Sequence, residues 1–442
     1  MRAPEEAYNA RSRRIEWKLD IFFNGANQDP TSIVRDNFLI SAEVLEEAMS
    51  SSNTPWGSVS ANELTASIRN EGDIFNPGNI ASPYYGKIRV GLMIAVFIRP
   101  KINDDVYDWD PCGVFFVSDW VTRSGGLTAE ITCYDKIADV LSAQKVKLQV
   151  YPNITKRDFI QIFFNDLNVP VVVDPLVIGI LPFGYHVKEN KDFLNNISGG
   201  LQTFIFCDHN GAIQVQYMRA VKEVAHSITD NDQIVDISAQ RGVLLDYDGI
   251  QLLLKAPQLS DSVEIYSSKD TEIPESGLLL ESQLFTKKPV AMLELGKISN
   301  TGLGKVLIQE ATSLDCTIQV TNLLGHSFID SVSLYGRIIE TSDTEYSSAG
   351  RNLLKYDNIY CQTVEQFESA KRFLRAFVSN DLPQIELTVR GNPQFELGQK
   401  IQVNSLRFNL TFTGLLIRQK LHYDGGLSST LTLLNSTILE VE

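Results

Sequence analysis

The chain has 442 residues, with 39 Lys and Arg against 54 Asp and Glu, and a formal net charge of −15. With 43% hydrophobic and 21% charged residues it has ample material for packed cores, so wholesale disorder is excluded and about two to four domains are expected. The acidic balance excludes a nucleic-acid binder held by a basic face, because such proteins gain affinity by neutralising phosphates with Lys and Arg.

The first residues, Met1-Arg-Ala-Pro-Glu-Glu-Ala-Tyr8, lack the apolar core of a secretory signal. Residues 1–13 are polar, run into Arg13-Arg14, and are expected as a flexible arm. No apolar run approaches the roughly 18–20 residues of a membrane span. The longest candidates, 169–173 and 176–181, are broken by Asp174 and Pro175, so a soluble protein is expected. Strand signals begin at Ile15-Glu-Trp17-Lys-Leu19-Asp-Ile21, which alternates with period two. Further strands are predicted over 87–98, 113–120 and 127–133, with outward loops at 51–55 and 71–83, where Ser, Asn, Gly and Pro concentrate. Ile137, Ala138, Val140 and Leu141 then have the spacing of a short amphipathic helix. Residues 14–145 are thus read as one β-rich domain.

Residues 146–225 read as a small α/β domain. Thr155 and Asp158 resemble a capping box, followed by Phe159, Ile160, Phe163, Phe164 and Leu167 at helical spacing. A second helix is predicted over 189–198, stopping at Gly199-Gly200. Asn210-Gly211 between two alternating runs predicts a hairpin. The remainder, 226–442, returns to β: alternation around Asp248-Gly249, short strands in an insertion near 258–345, and strands at 384–390, 399–403, 410–418 and 428–434. One helix interrupts it at 363–379. Thr363 caps it, Gln366 completes the box, and Val364, Phe367, Ala370, Phe373, Leu374 and Phe377 line one face.

Catalytic patterns fail on inspection. Gly302-Leu-Gly304-Lys305 lacks the Gly and Ser/Thr of a phosphate loop, since Ser299 and Val306 hold those places. The histidines, His186, His209, His226, His326 and His422, form no metal-ligand pair, and turn or surface roles are expected for His209 and His422. Asp104, Asp105, Asp108 and Asp110 lack the EF-hand order and read as a solvated loop. Ser327 and Asp330 beside His326 form no recognised catalytic set, and no GxSxG elbow occurs. Cys112, Cys133, Cys207, Cys316 and Cys361 form no CxxC pair and read as small buried hydrophobes of a protein assembled in a reducing compartment. No catalytic, cofactor-binding or metal-binding residue is assigned.

Two segments carry a resemblance. The first is Gly113-Val-Phe115-Phe-Val117-Ser-Asp119-Trp120 with Gly125-Gly126-Leu127-Thr-Ala129-Glu-Ile131-Thr-Cys133-Tyr-Asp135-Lys-Ile137. The second is Asn352-Leu353 ahead of the capped helix, then Thr388-Val-Arg390-Gly391-Asn392-Pro393-Gln-Phe395-Glu396-Leu397-Gly398-Gln-Lys-Ile401-Gln-Val403, closing with Phe412-Thr-Gly414-Leu415 and His422-Tyr-Asp-Gly425-Gly426-Leu427. In this order they resemble the baseplate hub or tail-tip proteins of tailed bacteriophages, although Gln399 stands where that family commonly has Asp.

The resemblance implies a mainly β, multi-domain chain of class α+β, with two tube-like β-barrel domains flanking the small α/β domain. It also implies a structural virion protein, made in the host cytoplasm; from the failed search for catalytic patterns, no enzymatic activity and no cofactor are expected. Three copies would form a pseudo-sixfold ring. The implied partners are the tail tube protein, a distal tail ring, the spike or tip protein and the tape measure protein, with DNA passing through the lumen. Three rival readings stay open: the hub of a bacterial contractile injection system, a glycan-binding host-recognition protein presenting Trp56, Tyr84, Tyr85 and Trp109, and a peptidoglycan hydrolase of the tail tip.

Overall fold

The structure, a computed structural model, describes residues 5–10, 13–34, 37–48, 57–102, 105–122, 126–143, 149–186, 189–219, 223–230, 234–239, 247–294, 304–380 and 384–439. Trp56, Asp104, Gly125, Ser299, Gly302 and the expected loop 51–55 lie outside these.

The described residues open with α1 (Glu5–Asn9), which corrects the expectation of a flexible arm at these positions. Ala7 and Tyr8 are buried, and the Tyr8 hydroxyl donates to Asp110 at 2.7 Å. Burying one tyrosine ring outweighs the freedom of a short polar segment. Seven longer strands follow: β1 (Arg14–Ile21), β2 (Thr31–Val34), β3 (Leu39–Glu47), β4 (Glu63–Arg69), β5 (Met93–Ile102), then after the two-residue β6 (Asp105–Val106), β7 (Asp110–Thr122) and β8 (Thr128–Tyr134). Alternation puts Ile15, Trp17 and Leu19 of β1 inside while Glu16 and Lys18 reach the surface. The strand expected from 87 starts only at Met93, because Gly86 and Gly91 adopt left-handed φ of 72° and 79° and turn the chain first. The 71–83 loop is anchored inward as well as exposed. Phe75 is fully buried, stacks on Tyr84 at 5.3 Å, and its carbonyl accepts from Trp120 Nε1.

Asp135 caps α2 (Lys136–Ser142) by accepting from Ile137 N. The next segment holds β9 (Tyr151–Thr155), α3 (Lys156–Asp166), β10 (Val171–Val173), β11 (Ile180–Gly184), α4 (Asn190–Leu201), β12 (Thr203–Cys207) and β13 (Ile213–Tyr217). Thr155 caps α3 as expected, accepting from Asp158 N. Helix α4 does not stop at its glycines; it runs through both and ends where Gln202 turns left-handed at φ 55°. A Cβ on Gly200 would strike Asn358 and lie 2.8 Å from Tyr360 Cβ. The glycine therefore serves close packing, not termination. Strands β12 and β13 form the expected hairpin, and Gly211 at φ 80° closes it.

Strands β14 (Val224–Thr229) and β15 (Asp236–Ala239) precede an insertion made of β16 (Gly249–Leu259), β17 (Val263–Ile273), β18 (Leu278–Leu284), β19 (Val290–Leu293), β20 (Gly304–Ala311), β21 (Asp315–Asn322), β22 (Phe328–Ser347) and β23 (Leu353–Tyr356). Not all are short: β22 has 20 residues and pairs with β16, β17 and β19. Helix α5 (Val364–Ser379) carries the full capping box, Thr363 accepting from Gln366 N and the Gln366 side chain accepting from Thr363 N. Strands β24 (Gln384–Val389), β25 (Lys400–Ser405), β26 (Leu410–Tyr423), β27 (Leu427–Asn435) and the single turn α6 (Ser436–Leu439) complete the chain.

The molecule is mainly β and multi-domain, and one 14-stranded sheet threads both β-rich regions in the order β15-β24-β27-β26-β3-β4-β8-β7-β5-β1-β2. The seam is the antiparallel pairing of β26 with β3, Arg418 opposite Glu47 through Tyr423 opposite Ala42. Strand β26 serves both sides of it: Leu415 and Leu416 pack with α5, whereas Leu421 and Tyr423 pack with Trp17 and Val44.

Candidate functional site: a buried turn over the sheet seam

The Pro- and Gly-bearing segment 391–399 lies across this seam. Gly391 and Gly398 adopt φ of 73° and 80°, as the turn chemistry predicts. Pro393, with its fixed φ, and the two glycines predict two tight turns around a short strand; the structure has turns at 393–394 and 397–398 and no strand between them. It is also largely buried: Asn392, Phe395 and Leu397 are each below 5% exposed. A buried loop must find a partner for each backbone group, and here the partners come from four parts of the chain.

At one end, the Arg13 guanidinium donates to the carbonyls of Arg390 and Gly391. Gln394 Nε2 donates to Asp110 at 3.2 Å, the carboxylate that also holds Tyr8. The expected solvated aspartate loop is thus corrected at Asp110, which is buried; Asp108 is exposed. In the middle, Gln419 Nε2 reaches the carbonyl of Asn392 at 3.5 Å. At the far end, Gly398 N donates to Leu416 O at 2.8 Å, and Gln216 Nε2 donates to Gly398 O at 3.2 Å.

The centre is ionic. His209 lies on the turn of the β12–β13 hairpin, as expected, but is buried there and not at the surface. Its Nε2 lies 3.1 Å from Glu46 on β3, itself 2% exposed, and its Nδ1 lies 3.7 Å from Glu396 on the turn. Burial opposes charge on the imidazole, but the charge and hydrogen bond of Glu46, with Glu396 and Asp208, outweigh it and raise the His209 pKa. Next to Glu46, Asp135 accepts from Asn62 N and Ile137 N, and burial pushes its carboxyl up to about 7. Cys112 and Cys207 flank these acids, and burial pushes both thiols up, so neither is an available nucleophile.

The remaining histidines are scattered. His186 is fully buried beside Phe193, His226 packs edge-on against Phe395 at 4.9 Å, His326 is exposed, and His422 lies 3.3 Å from Glu43. Among the described residues no group of His, Cys, Asp and Glu is arranged to hold a metal ion. All five cysteines are buried and unpaired. Tyr85 is half-exposed, while Trp109 carries the Arg99 guanidinium on its ring at 4.2 Å. No described helix is long and apolar enough to cross a membrane.

No family model and no curated protein matches the sequence. Among solved structures, the 43 kDa tail protein of prophage MuSo2 from Shewanella oneidensis aligns over 96% of this chain and 100% of its own, with 13% identity and a TM-score of 0.53. A tail protein from Neisseria meningitidis MC58 aligns over 97% and 98% at 8% identity and a TM-score of 0.45. A prophage tail protein from Listeria monocytogenes EGD-e aligns over 97% of both chains at 10% identity and a TM-score of 0.42. The first alignment establishes the fold, which is that of a phage tail protein, as the two sequence segments implied.

Proposed function

We propose that this chain is the baseplate hub of a phage tail, a structural protein of which three copies form a ring joining the tail tube to the central spike or tip. The observation that carries this reading is end-to-end likeness to the MuSo2 tail protein, without an unmatched segment on that side. The sheet supports it. Its terminal strands β2 and β15, and the branch strand β14, each pair with one neighbour only among the described residues. Open strand edges invite pairing with another chain, and a closed ring covers them. In this reading residues 14–145 and 226–442 are the two ring-forming units, and 146–225 projects from the ring.

The acidic chain, net −15, supports passage of DNA through the bore without capture. The hub contacts the tail tube, a distal ring, the tip protein and the tape measure protein, and catalyses nothing. Light scattering on the purified chain and particle counting on isolated tail tips test the reading. Three copies are expected; a single copy or six copies per tip sinks it. Clearing of purified peptidoglycan that disappears in Asp108→Ala overturns the non-enzymatic part.

A further inference from the structure

We propose that Glu46, His209 and Glu396 form a pH-sensitive clasp that fastens the 391–399 turn and the β12–β13 hairpin to the sheet seam, closed in mild acid and loosened in mild alkali. The inference is independent of the hub reading, because it concerns contacts within one chain.

The geometry sets the device. Among the described residues, both carboxylates face His209: Glu46 from β3 at 3.1 Å, Glu396 from the turn at 3.7 Å. Asp208 on the same hairpin adds negative charge, while its own oxygens accept from Asn210 N, Ala212 N and Gln214 Nε2. The hairpin loop cannot retreat without opening a gap, since Gly211 sits so close to β7 that a Cβ there would lie 2.8 Å from Val114. Protonated, His209 neutralises a buried carboxylate and attracts the turn. Deprotonated, it leaves the Glu46 carboxylate in a site with little water, and Glu396 loses its attraction to the hairpin. An uncompensated buried charge is costly.

The sign follows from linkage. His209 holds its proton more tightly in the fold than in the unfolded chain. Its contribution is complete below the ordinary imidazole range, roughly pH 6.5, and is lost as the pH rises through the higher folded value. Asp135, raised to about 7 by burial with Glu46 adding to it, acts in the same direction. Its contribution fades as the pH rises through about 7. The turn also meets the Asp110 carboxylate, through Gln394, and the Arg13 guanidinium; burial lowers the Arg13 pKa only to about 10, so it stays charged throughout. His226, against Phe395, is the second histidine touching the turn and serves as the control.

Hydrogen–deuterium exchange of the full chain between pH 5.5 and 8.5, corrected for intrinsic rates, reads the clasp. Protection of segments 203–217 and 391–399 is expected to fall several-fold across this range, while β1 and β5 stay protected. In His209→Gln the 391–399 segment should be weakly protected at every pH, and His226→Gln should keep the wild-type profile. A pH profile in His209→Gln equal to wild type overturns the proposal. So does wild-type protection that is flat with pH. Should His209→Gln fail to fold, imidazole NMR of the wild-type chain decides: His209 must titrate above the ordinary imidazole value of roughly 6.5, and a value below it sinks the clasp.

Discussion

Helix α5 and the turn at 391–399 both close the C-terminal β region and share one apolar cluster, to which the turn adds Phe395 and Leu397, but they differ in what else holds them. The helix presents Phe367, Ala370, Phe373, Leu374 and Phe377 to an apolar cluster with Leu387, Leu415 and Leu433. Its stability is the sum of many weak, non-directional contacts. The turn adds directed polar contacts to Arg13, Asp110, His209 and Gln216, with Glu46 behind His209, drawn from far along the chain. Contacts of the first kind tolerate imperfect neighbours; those of the second kind fail together when one partner is removed. A joint between units that must hold firmly and yet respond to conditions is better built the second way.

The sharpest test of the apolar side is Phe373→Asp. Phe373 is 2% exposed, and the change removes an aromatic ring and leaves a buried carboxylate without a cation. The loss should be on the order of 5 kcal/mol or more, enough to abolish cooperative unfolding by circular dichroism. A folded variant would show that the helix face is not core. On the polar side, His209→Leu should cost about 3 kcal/mol in denaturant unfolding at neutral pH, because it strands Glu46. Adding Glu46→Leu should recover most of that loss, since a buried pair replaced by apolar groups of similar volume is often neutral. A double variant no more stable than the single would show that the seam depends on the pair for shape as well as charge.

The same contrast explains what could be read in the sequence. Helix α5 was legible almost residue by residue because its signals are local: Thr363 and Gln366 three apart, and apolar positions at the helical period. The strands of β1, β7 and β8 were legible for the same reason. What was not legible is long-range. Nothing near Tyr8 indicates that Asp110 waits to accept its hydroxyl, and nothing near His209 indicates Glu46 on another strand. A histidine at a hairpin turn looks exposed until the partner surface is known. Gly200 of α4 misled for a related reason: its close neighbours, Asn358 and Tyr360, are remote in sequence. At 391–399 local chemistry foretold the turns, and only tertiary contact shows that they are buried.

Gly398→Val probes the turn without touching its charges. Valine at φ 80° is strained, and its Cβ would displace the Gln216 side chain that donates to Gly398 O. Because Gln216 is long and can swing aside, the cost should stay at roughly 1–3 kcal/mol. Far-ultraviolet circular dichroism should be unchanged while exchange at 391–399 rises at all pH values, in contrast with the pH-dependent rise expected of the wild type.

The smallest expected effect compares two caps built from the same residue type. Thr363 and Thr155 each accept from the backbone N three residues on, at 3.2 Å and 3.1 Å. At Thr363 the contact is reciprocal: Gln366 Oε1 accepts from the Thr363 and Gln362 backbone N–H groups, both at 3.0 Å, and the site is largely shielded. At Thr155 the partner is Asp158, the site is exposed, and water can take over the N–H groups that the hydroxyl leaves. Removing the hydroxyl with Ala should therefore cost about 1 kcal/mol or slightly more at Thr363 and about half that at Thr155. Thermal unfolding of the two single variants, run side by side, measures the difference. Equal losses would mean that the reciprocal bond of the box adds nothing, and that α5 is held by its apolar face alone.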